Sequence, residues 1–258
     1  ADDLPPLRSA PYHRGYAYRD LGNRIGVWRI KKLFDEFRLP LAILANSAVY
    51  DAYPRVLEAF RERGDEFVGH GRTNSERQID MSEDQERQMI REVVANMKSF
   101  EGKQPGGWLG PFISQSPRTP ELLKENGFSY MLDWWFDEQP VWFRTDNGPI
   151  LAVPYPSMEL NDLPAYVNRG VSDTDFTRMM IDSFDEQLSD SKDWPLVYCV
   201  SLHTFLTGQP QRIRELRKVL EHITRHRDSV WFTTPGEIAE HVSGLPAGWV
   251  PGDERVSR

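Results

Sequence analysis

Residues 66–75, EFVGHGRTNS, and residues 196–204, LVYCVSLHT, each place a histidine at the end of an apolar run. His70 follows a strand-like segment and opens a polar loop, and His203 ends the second run in the same way. Short apolar runs of this kind alternate with amphipathic helical segments along the chain, which indicates a largely parallel sheet covered by helices. The sequence therefore predicts an α/β fold, and a β/α barrel is the economical architecture for 258 residues.

The alternation predicts seven strands, and helices lie between them. We expect the strands near residues 41–45, 66–70, 107–110, 129–133, 150–153, 196–202 and 230–233. We expect the helices near residues 22–37, 53–63, 82–100, 119–127, 173–188, 211–226 and 235–242. Because no linker rich in Gly, Ser or Pro interrupts this pattern, we predict one barrel domain over 21–245, after an irregular segment 1–20 and before a tail 246–258.

The composition favours a small polar ligand. A formal net charge of −8 opposes nonspecific attraction to nucleic acid or to an anionic membrane. No run approaches the roughly 20 apolar residues of a membrane helix, and Ala1–Pro6 lack the features of a signal peptide. We therefore expect a cytoplasmic protein. The single Cys199, inside an apolar run, is expected to be a buried structural thiol on a strand.

Four residues fall at predicted strand ends, where β/α barrels carry their chemistry: His70, Trp108, Asp133 and His203. Imidazole titrates near neutral pH, so both histidines are candidates for general acid–base catalysis, with satisfied structural histidines as the alternative. Asp133 lies among aromatic residues, where burial or a histidine partner would shift its pKa. A purely structural hydrogen bond is an equally good interpretation of that carboxylate.

Further polar and aromatic residues are candidates for the pocket wall. Trp108 and Trp134 lie beside strand ends, and Glu159, Asn161 and Asp162 form a polar cluster that a solvated loop would also explain. Arg212 lies at the start of a predicted helix, where the helix dipole disfavours a cation, so we expect it to bind substrate or a neighbouring carboxylate. The chain carries no signature of a serine hydrolase, a P-loop, a zincin or a dinucleotide-binding site.

Four segments together resemble the polysaccharide deacetylase (NodB-homology) superfamily: residues 66–75, 107–111, 130–140 and 202–212. More narrowly, they are similar to its branch of metal-independent allantoinases and cyclic-imide hydrolases, in order from about Tyr18 to His241. The resemblance implies an irregular (β/α)7-type barrel, hydrolysis of an amide, ureide or N-acyl bond, and assembly into dimers or tetramers.

The resemblance also assigns individual positions. His70 matches the first histidine of the superfamily's metal motif, His-Ser/Thr-x-x-His, and Asn74 stands where the second histidine would be. His203 matches the histidine that protonates the leaving group, and Asp133 lies in the region of an aspartate that orients a catalytic histidine. We thus expect His70, His203 and Asp133 to be catalytic. The expected substrate-binding residues are Asn74, Trp108, Gly110, Pro111, Trp134, Glu159, Asn161, Gln209 and Arg212.

One departure from the superfamily concerns metal. Its first strand, which carries an aspartate pair, should precede the helix near Gly22, and residues 1–20 contain no such apolar run. Either the chain is shortened there or the strand has been lost. The superfamily's metal site takes an aspartate and two histidines, of which this chain offers His70 alone, so we expect no metal and no cofactor, with zinc as the alternative.

These patterns predict hydrolysis of a non-peptide C–N bond in a small molecule such as allantoin, a hydantoin or a cyclic imide. His70 and His203 are expected to flank the scissile carbonyl, one activating water and the other protonating the departing nitrogen. A carbohydrate N-deacetylase is the first alternative. A noncatalytic binding homologue is the second, suggested by the missing acidic motif and by Asn74.

Overall fold

The computed structural model describes residues 13–253. Its α-helices are α1 (His13–Leu21), α2 (Val27–Phe37), α3 (Ala48–Ala52), α4 (Pro54–Arg61), α5 (Glu83–Glu101), α6 (Thr119–Glu125), α7 (Asp173–Asp190), α8 (Pro210–Ile223) and α9 (Pro235–Gly244). Its strands are β1 (Ala42–Ala45), β2 (Glu66–Gly69), β3 (Gly107–Trp108), β4 (Tyr130–Met131), β5 (Val141–Phe143) and β6 (Ile150–Ala152). Short π-helical turns cover Gly22–Gly26 and Pro164–Asn168, and 3-10 turns cover Gln78–Asp80, Pro111–Ile113 and Thr224–His226.

The described residues divide into two compact units. The first contains the chain up to Leu39 together with Tyr155–Phe232, and the second contains Pro40–Pro154 together with the chain from Thr233 onwards. The predicted boundaries of a single barrel domain at residues 21 and 245 stay predictions.

The second unit is built on a six-stranded sheet in the order β1-β2-β3-β4-β6-β5. Neighbouring strands are parallel, except that β5 runs antiparallel to β6. The strands are short, and α5 packs its apolar face on them, so that the core lies between helix and sheet. Fully buried members of this core include Met89, Ile90, Val93, Met97, Trp108, Leu122, Leu123 and Met131.

The first unit is mainly helical. The long helices α7 and α8 pack against each other, and α2 packs on α8. Their apolar stripes bury Phe176, Met180, Phe184, Leu216, Val219 and Leu220. A single parallel bridge pairs Asn161 with Ser201. This bridge brings two otherwise irregular segments, each carrying polar residues, into register.

The predicted α/β class with a mainly parallel sheet is confirmed. Five of the predicted strands are present, and β5 is a sixth that the sequence pattern did not indicate. The predicted strands at 196–202 and 230–233 are wrong, because apart from the bridge at Ser201 these segments have no ladder partner. An apolar run reports burial, whereas a strand also needs a neighbouring backbone to pair with.

The structure also bears on the predictions for residues 1–20, for residues 246–258 and for Cys199. The irregular segment 1–20 is wrong over residues 13–20, which belong to α1, while residues 1–12 lie outside the described part. Residues 246–253 of the predicted tail form turns, and the Trp142 N–H donates to the Pro251 carbonyl at 2.8 Å. Cys199 lies off any strand and is partly buried, and burial raises the pKa of its thiol to about 12.

Across residues 13–253, no helix has both the length and the apolar character that a membrane crossing requires.

Candidate active site

A histidine–aspartate pair is the centre of the candidate site in the first unit. The Nδ1 atom of His203 lies 2.6 Å from Oδ1 of Asp162, and the backbone N–H of His203 donates to Oδ2 at 2.8 Å. The Thr207 hydroxyl donates to the same Oδ2 at 2.6 Å. Asp162 is 0% exposed. A carboxylate that accepts three donors in a buried position holds the imidazole ring in one orientation.

The bridge between Asn161 and Ser201 explains why these two residues meet. The N–H of Ser201 donates to Leu160 O at 3.0 Å, and the N–H of Asp162 donates to Ser201 O at 3.1 Å. Parallel pairing in this register sets Asp162 beside the residues that follow Ser201. Next to the bridge, the Tyr155 hydroxyl and the Ser201 hydroxyl form a buried hydrogen bond of 2.6 Å.

The turn that follows His203 is held by close backbone packing. The N–H groups of Leu206 and Thr207 donate to the His203 carbonyl at 3.0 and 2.9 Å. Gly26, in the π-helical turn, and Gly208 approach so closely that a Cβ on either would collide with the Thr204 carbonyl. Glycine at both positions permits this contact, which fixes the turn against the start of α2.

The hydrogen bond to Asp162 also determines which ring nitrogen is available for proton transfer. Because the carboxylate accepts from Nδ1–H, the neutral ring has its lone pair on Nε2, and the protonated ring donates from Nε2. The side chain of His203 is 29% exposed, so the ring is within reach of a solute while its partner is buried. This is the arrangement that a general acid or base requires.

Arg212 binds a carboxylate, which is one of the two partners that the sequence predicted. Its Nε donates to Oδ1 of Asp173 at 2.9 Å, and its guanidinium carbon lies 3.8 Å from the ring centroid of Tyr166. Burial and the Asp173 charge raise the pKa of Tyr166. Arg212 thus ties the start of α8 to the start of α7, and a direct contact with substrate stays a prediction.

The other predicted substrate-binding residues of this unit have local partners. Glu159 is exposed and pairs with Arg169 at 2.6 Å, and this hydrogen bond holds its pKa below the usual value. The Asn161 side chain accepts from the Leu163 N–H at 3.1 Å, and Gln209 donates to Phe205 O at 3.1 Å. Their roles toward a substrate stay predictions.

His70 lies directly after β2 in the second unit, as predicted. Its Nδ1 donates to the Leu109 carbonyl at 2.6 Å, and its backbone N–H donates to Ala45 O at 3.1 Å. A carbonyl only accepts, so Nδ1 carries the hydrogen and Nε2 holds the lone pair of the neutral ring. The Asn46 amide donates both to the His70 carbonyl and to Oδ1 of Asn74, the latter at 2.9 Å.

Asp133 lies after β4, and its carboxyl group is buried. Oδ1 accepts from the Gly110 N–H at 2.8 Å, while Oδ2 has no hydrogen-bond partner. Burial raises the pKa of Asp133 to about 7, and the Glu86 charge adds to the rise. The hydrogen bonds of Asp133 include no histidine, and Asp162 is the carboxylate that binds His203. A catalytic role for Asp133 stays a prediction. The sequence placed Asp162 only in a polar cluster and did not pair it with His203, because the two residues are 41 positions apart.

Trp108 is a core residue. Its side chain is fully buried against Phe128, with ring centroids 5.5 Å apart, and its Nε1 donates to Gln78 at 3.1 Å. Gln78 in turn donates to the fully buried Glu86 at 2.7 Å. Direct contact between Trp108 and a substrate is therefore excluded in this conformation. The residue acts on its surroundings through packing.

Pro111 and Trp134 complete the predicted set in this unit. Pro111 is buried at the start of its 3-10 turn. Trp134 is half-buried, stacks with a tilt on Phe143 at 5.1 Å, and has a buried ring N–H without a hydrogen-bond partner. An indole N–H of this kind is able to donate to a bound polar group.

The chain is similar to known proteins in sequence and to solved structures in fold. No family model matches it. A Helicobacter pylori peptidoglycan deacetylase is 27% identical over 251 residues, which covers 84% of this chain and 83% of that protein. The structure of a probable polysaccharide deacetylase from Pseudomonas aeruginosa PAO1 is 29% identical, with a TM-score of 0.85 over 93% of this chain and 79% of that one. The structure of the Puue allantoinase is 30% identical at the same coverage and TM-score.

The chain belongs to the polysaccharide deacetylase superfamily. The resemblance in its motifs is thereby confirmed at the level of the superfamily, and so is the α/β fold class. The superfamily's hydrolases act on amide-type C–N bonds, so this chain is related to enzymes of that class.

The metal site of the superfamily does not fit the residues present. Asn74, in place of the second histidine, offers a neutral amide oxygen that already accepts from Asn46. Among residues 13–253, no group of three histidine, cysteine or carboxylate side chains at ligand spacing includes His70. His70 and Asn74 therefore do not make up the superfamily's metal site.

Proposed function

We propose that this protein hydrolyses a cyclic amide, ureide or imide, and that His203 with Asp162 forms its proton-transfer pair. The observation that carries the proposal is the buried carboxylate of Asp162, which accepts from the ring and backbone of His203 and from Thr207. Three donors on one buried acceptor prepare a site in which an imidazolium ion is compensated without any rearrangement.

In the proposed reaction, the oxygen of water bonds to the carbonyl carbon while the water gives a proton to Nε2 of His203, the C–N bond then breaks, and the departing nitrogen takes up that proton. Protonated His203 supplies that proton from Nε2, because Nδ1 is committed to Asp162. Asp162 stabilises the positive ring before the transfer and keeps the ring nitrogen pointed at the reacting group. In a cyclic substrate both product groups remain in one molecule.

Two observations favour a cyclic amide. The structure of the Puue allantoinase matches 93% of this chain with a TM-score of 0.85. The change from histidine to Asn74 removes a ligand that metal-dependent deacetylation in the superfamily uses, and the Asn74 oxygen is held by Asn46. The two observations together support a small-molecule substrate and a reaction that proceeds without a bound metal.

Carbohydrate N-deacetylation is the second candidate, supported by the names of the Helicobacter pylori and Pseudomonas aeruginosa relatives. One assay separates the candidates. The purified chain is incubated with allantoin, hydantoin, succinimide and N-acetylglucosamine oligomers, and ring-opened products or acetate are quantified by chromatography. Ring opening without acetate supports our proposal. Acetate alone supports the deacetylase, and tight binding with no turnover identifies a noncatalytic homologue.

The pair itself is tested by Asp162→Asn and His203→Gln on a substrate that the wild type hydrolyses. Since each variant removes the oriented acid, we expect kcat to fall by about 10²- to 10⁴-fold with little change in KM. His241→Gln, on the exposed face of α9, is the matched control and should keep wild-type turnover. Wild-type kcat in folded Asp162→Asn would exclude the pair from catalysis.

A further inference from the structure

A second group of potential ligand atoms lies on a different part of the first unit. Asp185 on α7, His222 on α8 and His226 in the following 3-10 turn each offer one atom, and these atoms all lie within 4.8 Å of one another. Nε2 of His222 lies 2.7 Å from Oδ1 of Asp185. None of the three is a residue of the Asp162–His203 pair.

We propose that Asp185, His222 and His226 form a binding site for one divalent transition-metal ion, with zinc as the preferred class. Two imidazoles and one carboxylate are a donor set that zinc accepts with a water molecule in the fourth position. Such donors lie about 3.3 Å apart around a tetrahedral ion with bonds of about 2.0–2.2 Å. Since the observed atoms lie within 4.8 Å of one another, binding an ion requires side-chain rotations that bring them to that spacing.

The positions of these three residues in the backbone bring their side chains together. His222 and His226 are four residues apart along continuous helical turns, so their rings project from the same face, with centroids 5.9 Å apart. Packing of α7 against α8 sets Asp185 opposite them. Because the scaffold already holds all three residues, an ion would meet little cost of ordering them.

The surroundings also favour a cation. Phe184 is buried beneath the group and contacts both rings, at 6.1 Å from His222 and 5.6 Å from His226 between centroids, which limits ring motion. The side chains of Asp185 and His222 are 50% and 25% exposed, so an ion and its water ligand have access. Asp185 contributes one negative charge within the group, which attracts a cation.

The test uses the full-length chain, stripped with a chelator and dialysed, and zinc chloride as the probe. Isothermal titration should give one zinc ion per chain at this site, and NMR signals of two histidine rings should shift together. Loss of a second-shell group in a zinc site costs about 10- to 100-fold in affinity, so loss of a direct ligand in His222→Gln or His226→Gln should weaken binding by about 100-fold or more.

Asp185→Asn tests the same site while both histidine rings are kept. Because the Asp185 side chain is half exposed, we expect this variant to fold as the wild type does. We expect it to weaken zinc binding, with an unchanged circular dichroism spectrum. His241→Gln is the control and should bind zinc as the wild type does. Magnesium, which prefers oxygen ligands, should not compete. Absence of zinc binding by the wild type, or wild-type zinc affinity in all three site variants, would overturn the proposal.

Discussion

At the scale of single residues, the fold changes the chemistry of Asp133 by burying it. The carboxyl group is 4% exposed, one oxygen accepts from Gly110, and the other has no partner. An ionised carboxylate in that position lacks both water and a counter-charge, which explains why burial raises its pKa to about 7. Near neutral pH the group is therefore ready to exchange a proton.

This shift predicts a pH-dependent stability. The pKa of Asp133 rises from 3.8 to about 7 on folding, so between these values the folded chain keeps a proton that the unfolded chain has released. The free energy of unfolding should therefore fall as pH rises from about 4 to about 7, by on the order of 4 kcal/mol, and then level off. Asp133→Asn keeps an acceptor for Gly110 and cannot titrate.

Urea unfolding of the wild type and Asp133→Asn at pH 4.5 and pH 7.5 measures this effect. We expect the difference in unfolding free energy between the two proteins to change in favour of Asp133→Asn as pH rises. A difference that is the same at both values would show that Asp133 ionises normally in the folded chain.

Glu86 is a second buried acid, but its partners satisfy it. Its carboxylate accepts from Gln78 at 2.7 Å, from Ser116 at 2.5 Å and from Thr119. Glu86→Ala leaves these donors without an acceptor, so we expect the free energy of unfolding to fall by about 3 kcal/mol or more. Glu83→Ala, an exposed acid on the same helix, should lower the free energy of unfolding much less, because solvent screens its ion pair with Arg87. Thermal unfolding compares them, and equal losses would contradict this account.

At the scale of elements, the first unit depends on contacts between helix starts. Arg212 near the start of α8 binds Asp173 at the start of α7 and lies over the Tyr166 ring. The planar guanidinium makes both contacts together, which a lysine ammonium cannot do. The cation that the helix dipole disfavours is thus compensated by a carboxylate from a neighbouring helix.

Arg212→Lys should therefore lower the free energy of unfolding by about 1–2 kcal/mol. Arg217→Lys on the same helix is the matched control, because its pair with Glu36 is more exposed and its distance to the Phe37 ring is 6.0 Å. We expect a smaller loss there. Chemical unfolding of both variants provides the measurement, and wild-type stability and KM in Arg212→Lys would exclude both a structural and a substrate-binding role.

At the scale of the whole molecule, we expect turnover without a bound metal. The residues that match the superfamily's metal motif offer one histidine and one asparagine, and Asn74 is engaged with Asn46. Treatment with a strong chelator should therefore leave kcat unchanged, even when it removes zinc from Asp185, His222 and His226. Elemental analysis before and after treatment gives the metal content. Activity that is lost on chelation and restored by zinc would contradict this prediction and favour carbohydrate N-deacetylation as the function.

The net charge of −8 opposes nonspecific attraction to nucleic acid, and a small-molecule ligand stays a prediction. A cytoplasmic location and assembly into dimers or tetramers stay predictions. Size-exclusion chromatography with light scattering tests the assembly.

The sequence by itself determined the α/β class, most helix positions, and the placing of His70 and His203 at the ends of apolar runs. These features follow from local patterns, because the period of apolar residues reports which face of a segment is buried. The superfamily's motifs were readable for the same reason, since each lies within about ten consecutive residues.

Only the tertiary structure decided which groups act together. Asp162 meets His203 across 41 residues of chain through one parallel bridge, and no local pattern marks that pairing. Asp133, for which the sequence left a histidine partner and a structural hydrogen bond equally open, accepts from the Gly110 N–H. The segments 196–202 and 230–233 are apolar without being strands, because ladder pairing depends on a neighbouring backbone. Local composition determines what a residue can do, and long-range packing selects its partner.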